Sequence, residues 1–248
     1  MPPAFVSASV SEAAIRPGDP PVTPVIMSWS GGKDSCMALH DLQRSGDHEV
    51  VALLTTVTRG YDRVSMHGVR RELLHRQADS IGLPLEEVFI PAAAGNDEYE
   101  AAMGEVLSTY RSRGIGTVAF GDLFLADIRA YRDRLVARSG MVGIYPVWGR
   151  PTASFVREFI DRGFKAVTAC VDLNVLDESF AGRVLNRDFL SDLPAAVDPC
   201  GENGEFHTFV FDGPILARSV GFSVGQRVTR GSFCFCDLEP EEGLECLT

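Results

Sequence analysis

Lysine is nearly absent: Lys33 and Lys165 are the only two in 248 residues, and every other side-chain cation apart from histidine is arginine. Positive charge is also outweighed, 23 Lys and Arg against 34 Asp and Glu, for a net charge of −11 and a pI near 4.9. Neutralising nucleic-acid phosphates requires a basic surface, so this balance argues against a nucleic-acid partner. No run of ~18 consecutive apolar residues occurs, which predicts no membrane span. A basic stretch followed by an apolar stretch is missing from the N-terminus, so no secretory signal is read and a cytoplasmic location is expected. GxxxxGK[ST], the phosphate loop of kinases and GTPases, is missing, and so is a GxGxxG after the first apolar run. CxxC is missing as well. The six cysteines, Cys36, Cys170, Cys200, Cys234, Cys236 and Cys246, are expected as free thiols in a cytosolic chain. Cys234 and Cys236 alternate within a strand-like run and read as small buried hydrophobes, a zinc site with Cys200 or Cys246 being the alternative.

What is present is a globular composition, 45% hydrophobic and 23% charged, on a chain long enough for one α/β domain or a larger and a smaller one. Residues 1–22, rich in Pro, Ala and Ser, read as a mobile leader. From Val25 onward apolar runs alternate with helical periods. Strands are expected at 25–29, 50–57, 85–90, 117–120 and 142–147. Helices are expected at 35–44, 69–81, from Asp97 to about Gly114, 125–139 and 153–162. Asp97 and Glu100 have the spacing of a capping box. This alternation predicts a parallel sheet with helices on both faces, with ligands at the carboxyl ends of the strands. After about Lys165 the rhythm loosens into a smaller α+β region, with strands at 166–175, 208–211 and 232–236 and a helix over 178–189. The expected division is therefore 23–165 and a smaller C-terminal domain, 166–248.

The strongest local signal is Ser30-Gly31-Gly32-Lys33-Asp34-Ser35, between a predicted strand and a predicted helix. Gly31 and Gly32 let main-chain N–H groups approach an anion. The following helix points its positive end at the same spot. Lys33 adds a full charge, and Ser30 and Ser35 add hydroxyls. Asp34 either caps the helix or holds a Mg²⁺ bridging to phosphate.

The segment from Ser28 to Ser35 resembles the PP-loop, SGGxDS, of the N-type ATP pyrophosphatases. The resemblance implies a HUP-type, adenine nucleotide alpha hydrolase-like fold and cleavage of ATP to AMP and pyrophosphate. A second segment, from Asp198 through Gly201-Glu202-Asn203-Gly204-Glu205-Phe206-His207-Thr208 to Pro214, resembles the GENGE(Y/F)HT…DxP signature of the diphthine–ammonia ligase family, in its short form. That likeness implies an amide-forming ligase using ATP and Mg²⁺. A carboxylate would be activated as an acyl-adenylate for attack by ammonia, the acceptor being diphthine or another carboxylate. Lys33, Glu202 and Glu205 are the candidate catalytic residues, and Asn203 and His207 the candidate acceptor residues. Ser30 through Ser35, Thr55, His67, Gly121 and Asp122 are candidates for ATP, with Asp34 for the metal. From the residues alone, His67 is equally a surface histidine, Asp122 a helix cap and 202–207 a solvated turn. A homodimer is compatible with this reading. The rivals are a PP-loop sulfurtransferase using Cys36 near the helix N-terminus and a non-catalytic adenine-nucleotide sensor.

Overall fold

The computed structural model describes residues 22–64, 67–92 and 94–241. The expected leader, but for Val22, and Cys246 lie outside the described residues. Six strands form the first sheet: β1 (Thr23–Ser28), β2 (His48–Thr58), β3 (Arg63–Val64), β4 (Leu85–Ile90), β5 (Thr117–Ala119) and β6 (Val142–Ile144). Their order is β3-β2-β1-β5-β6, with β4 also paired to β2. All neighbours are parallel except β3, which turns back antiparallel on Val57 and Thr58. The connecting helices are α1 (Lys33–Ser45), α2 (Arg71–Ile81), α3 (Asn96–Ser112), α4 (Ala126–Arg138) and α5 (Thr152–Asp161).

Alternation along β1 builds two cores. Ile26 faces Met103, Leu107, Leu135 and Val136 of α3 and α4. Val25 and Met27 face the opposite side, with Leu39 of α1 and Leu73 and Leu74 of α2. That second core runs on without a break through Phe155 and Phe159 of α5 into a second sheet. This sheet is antiparallel, in the order β8-β7-β10-β9, from β7 (Lys165–Asp172), β8 (Phe206–Asp212), β9 (Phe222–Arg230) and β10 (Phe233–Pro240). Phe155, Phe159, Phe189, Phe206 and Phe209 are wholly buried. Each contributes roughly 1.5–3 kcal/mol by leaving water. The C-terminal region is thus bound to the first sheet by a shared core, and the molecule is a HUP-type α/β fold with an antiparallel extension.

Three local expectations change. Residues 178–189 do not form one helix. A short 3-10 turn over Glu178–Phe180 gives way to Gly182 at φ +82°, and only α6 (Arg187–Asp192) is helical beyond it. Between them the backbone binds β7 instead: Gly182 N donates to Thr168 O at 2.7 Å and Leu185 N to Ala166 O at 2.8 Å. The cap of α3 lies earlier than Asp97. Gly95 is the N-cap and Glu98 accepts its N–H at 3.2 Å, whereas Glu100 pairs with Arg138 on α4. Strands β3 and β9 are additional elements.

Candidate active site

The chain leaves the first sheet at Ser30. Gly31 sits at φ +74°, and a Cβ there would lie 2.7 Å from Leu74 Cδ1 and 2.9 Å from Gln77 Oε1. Both the backbone angle and the space demand glycine. Gly32 is the N-cap of α1 and has no side chain to cap it, so the positive end of the helix opens toward the loop. Hydroxyls tie the loop together. Gly32 N donates to Ser30 Oγ at 3.2 Å, Ser35 Oγ donates to Gly32 O at 3.0 Å, and the two hydroxyls lie 3.3 Å apart.

The second sheet is hydrogen-bonded to this same loop. Val210 N of β8 donates to Gly31 O at 2.9 Å, and Lys33 N donates to Thr208 Oγ1 at 3.1 Å. Gln77, fully buried on α2, joins the parts. Its Nε2 donates to Gly31 O at 3.1 Å and to Val210 O at 2.6 Å, and its Oε1 accepts from Trp29 Nε1 at 2.9 Å. Gln77 carries no expectation from the sequence, and Thr208 is read there only as part of the GENGE(Y/F)HT-like segment, with no role of its own. The available signal for Gln77 was a polar residue among Leu73, Leu74 and Ala78 at core-facing helical spacing.

Charge gathers on one side of the loop. The Lys33 ammonium is buried and lies 2.9 Å from Asp34 Oδ2. Burial opposes its charge, but Asp34, with Cys200 and Glu202 nearby, more than offsets this and raises its pKa. Burial likewise raises Asp34, against the pull of Lys33. Asp34 Oδ1 is buried without a hydrogen-bond partner among the described residues. Glu202 Oε1 accepts from Leu123 N at 2.8 Å. Burial, and then the charge of Asp34, push its pKa up to about 7. Asp122 is gripped by Arg132, Nε to Oδ2 at 2.7 Å and Nη2 to Oδ1 at 3.1 Å. Gly121 allows a close approach, since a Cβ on it would lie 2.9 Å from Ser35 N. The chain adds β2 and β4 on one side of β1, and β5 and β6 on the other. The switch point therefore falls between β1 and β5, where such sheets bind ligands.

On the other side of the loop, the rings of His67 and His207 lie 4.5 Å apart at 37°. His67 Cε1 is 3.3 Å from where a Cβ on Gly32 would sit. Burial and His207 hold the His67 pKa well below its usual value. Burial and Lys33 lower His207 to about 4. Both imidazoles are neutral at pH 7. Thr55, on β2, is buried and its Oγ1 has no partner among the described residues.

The turn over 198–205 is held from within. The buried Glu205 carboxylate accepts from Asp198 N at 3.1 Å, Asn203 N at 2.9 Å and Asn203 Nδ2 at 3.0 Å. Asp198 accepts from Cys200 N at 2.8 Å and from Thr152 Oγ1 at 2.7 Å. Glu202 is thus turned toward the phosphate loop, while Asn203 is exposed. Cys36, Cys170, Cys200, Cys234 and Cys236 are free and buried. No group of three or more His, Cys, Asp or Glu poised for a metal occurs among the described residues.

Two family models match in tandem: the diphthamide synthase N-terminal domain over residues 23–143 and the diphthamide synthase C-terminal domain over 151–242. The chain belongs to the diphthamide synthase family. Its first matched region carries the phosphate loop and its second carries β8, which closes on that loop. Among curated relatives, a diphthine–ammonia ligase of Danio rerio is 26% identical over 229 residues, covering 83% of this chain and 89% of that protein. One from Mus musculus is 24% identical, covering 83% of this chain and 85% of that protein. A third, from Schizosaccharomyces pombe, is 25% identical, and the match takes in 85% of this chain but 38% of that longer protein. Membership of the diphthamide synthase family makes this chain an ATP-using ligase. No helix among the described residues is long and apolar enough to cross a membrane.

Proposed function

We propose that this enzyme forms an amide by cleaving ATP between its α- and β-phosphates. The acceptor carboxylate attacks the α-phosphorus, pyrophosphate leaves, and an acyl-adenylate results. Ammonia then attacks the acyl carbon, loses a proton, and AMP departs. A free carboxylate resists ammonia because oxide is a hopeless leaving group; adenylation removes that obstacle. The carrying observation is the contact of β8 with the phosphate loop through Thr208 and Val210. It joins the nucleotide motif and the family's second motif in one site.

In this reading Gly31, Gly32, Ser30 and Ser35 cradle the polyphosphate, and Lys33 stabilises the departing pyrophosphate. Glu202, with a pKa of about 7, takes the proton that the attacking ammonia sheds. Glu205 and Asn203 act through the turn by holding Glu202 in position, and Asp122, paired with Arg132, borders the nucleotide. Thr55 offers its unpartnered hydroxyl to the adenosine. His67 and His207 line the acceptor side as neutral imidazoles. Asp34, whose buried Oδ1 has no hydrogen-bond partner among the described residues, would hold a Mg²⁺ at this site. The metal would neutralise charge on the polyphosphate.

The acceptor of the relatives is diphthine by their name, and a carboxylate of that or another kind is the acceptor proposed here. Sulfur transfer through Cys36 is disfavoured, because its thiol is buried and its pKa raised well above the ordinary value, whereas a reactive thiol is exposed and acidic. Incubation with ATP, Mg²⁺, ammonium and a panel of carboxylates should yield AMP and pyrophosphate with at least one acceptor. Nucleotide binding without turnover across the panel would favour the sensor, and ADP with orthophosphate would contradict the bond choice.

A further inference from the structure

Side chains of α4 and of the segments that follow β5 and β6 stack in a row beside Asp122. Arg132 lies over the Phe120 ring at 4.8 Å, and Phe120 stacks on Tyr145 at 5.5 Å and 24°. Arg129 lies 4.6 Å from the ring centres of both Tyr145 and Trp148. Arg129 and Arg132, at i and i+3, share one face of α4. Main-chain bonds tie the row to Glu202. Gly149 N, next to Trp148, donates to Leu123 O at 2.7 Å, and Leu123 N donates to Glu202 Oε1 at 2.8 Å. The two guanidinium groups differ in what they hold. Arg132 grips both oxygens of Asp122. Arg129 makes no side-chain hydrogen bond among the described residues. Its one ion pair there is with Asp133, whose Oδ2 lies 3.8 Å from Nε, too far for a hydrogen bond. The other Asp133 oxygen accepts from the Tyr145 hydroxyl at 2.8 Å.

Arg129 is thus a cation held in place by two rings, 40% exposed, with its N–H groups left to donate. The charges around Glu202 give it a use. Asp34, Asp122 and Glu202 already bring carboxyl groups together, and the cations among them, Lys33 and Arg132, are held by Asp34 and Asp122. A further carboxylate entering beside these groups and a triphosphate is repelled by like charge. Neither Lys33 nor Arg132 is free to offset that repulsion.

We propose that Arg129 receives the reacting carboxylate of the acceptor and presents it to the nucleotide beside Glu202. Tyr145 and Trp148 fix the plane of the guanidinium, so its parallel N–H groups meet both carboxylate oxygens. His67 and His207 are left to border the rest of the acceptor. The charge of Lys33 reaches both imidazoles and Glu202 alike, so the two sides of the loop open on one ammonium group. The word acceptor rests on the ligase reading, but the seat for a carboxylate can be measured by itself.

The test uses the full chain saturated with Mg²⁺ and α,β-methylene-ATP, with acetate as the probe and acetamide as its neutral counterpart. At constant ionic strength acetate should change tryptophan emission in a saturable way, acetamide should not, and Trp148→Phe should remove the signal. Arg129→Gln should weaken acetate by about tenfold or more, the worth of a charged hydrogen bond. Arg129→Lys should recover part of the loss, and both variants should keep their affinity for the nucleotide. For any carboxylate that yields AMP from ATP, Arg129→Gln should raise its KM by about tenfold or more and leave the KM for ATP alone. No saturable response to acetate, an equal response to acetamide, or the same response in Arg129→Gln would each overturn the proposal. Lost nucleotide affinity in that variant would overturn it too, by giving the guanidinium to a phosphate. Acetate bound at Arg129 without AMP release for any carboxylate would sustain the seat and defeat the ligase reading. AMP release indifferent to Arg129→Gln would do the reverse.

Discussion

The main-chain N–H of Lys33 donates to the hydroxyl of Thr208, 175 residues further along the chain, across 3.1 Å. Gly32, the N-cap, has no side chain to do this. The cap of α1 is thus supplied by the second sheet, and the loop that opens the helix is completed only when that sheet docks. Thr208→Val keeps the shape and removes the acceptor. It should cost about 1 kcal/mol of stability, the usual worth of a helix cap, and raise the KM for ATP. Thr208→Ser should restore both, as read from urea midpoints and initial rates.

Gln77 satisfies three partners inside the same junction. Gln77→Leu leaves Val210 O and Trp29 Nε1 buried without partners, while Gly31 O keeps Val210 N. Two orphaned groups at 1–3 kcal/mol each predict a loss of about 2–6 kcal/mol. Chemical unfolding of the purified variant measures it, and a loss under 1 kcal/mol would show that water takes over these bonds.

Glu202 titrates near pH 7, and only its carboxylate form accepts a proton. With ammonia itself held at constant concentration, turnover should rise as pH increases through about 7. Glu202→Gln should flatten this limb and lower kcat about a hundredfold to ten-thousandfold. A variant that retains both the limb and the rate would remove Glu202 from the proton path.

The His67–His207 pair favours the neutral form. His207 has its pKa lowered from 6.5 to about 4, so below pH 6.5 the unfolded chain binds more protons than the folded one. The stabilisation is complete above about pH 6.5 and drains away as pH falls toward 4. Replacing His207 with Gln should make the urea midpoint less sensitive to pH across that window, and an unchanged slope would contradict the assignment.

The strand-loop-helix junction at Ser30–Ser35 is legible in the sequence because its six residues are contiguous, with Gly31 at a left-handed angle and α1 starting at Lys33. So is the alternation through α5, where apolar spacing and glycine stops agree. The bonds of Gln77 and of Thr208 are not, because their partners are brought near only by the packing of α2 and β8. Strand β9 is exposed along most of its length, so it carries no apolar period to detect. The expected helix over 178–189 failed at Gly182, whose left-handed angle and bond to Thr168 depend on β7 lying alongside. Glu205 looked like an acid or base by type. In the fold its three hydrogen bonds bind its own turn and direct Glu202 inward.

The most direct measurement is a crystal structure with Mg²⁺ and α,β-methylene-ATP, which cannot be split at the bond in question. The β- and γ-phosphates should rest on Gly31, Gly32 and the first turn of α1, with Lys33 Nζ in contact and the α-phosphate turned toward Glu202. Triphosphate bound elsewhere, with that loop empty, would contradict the account.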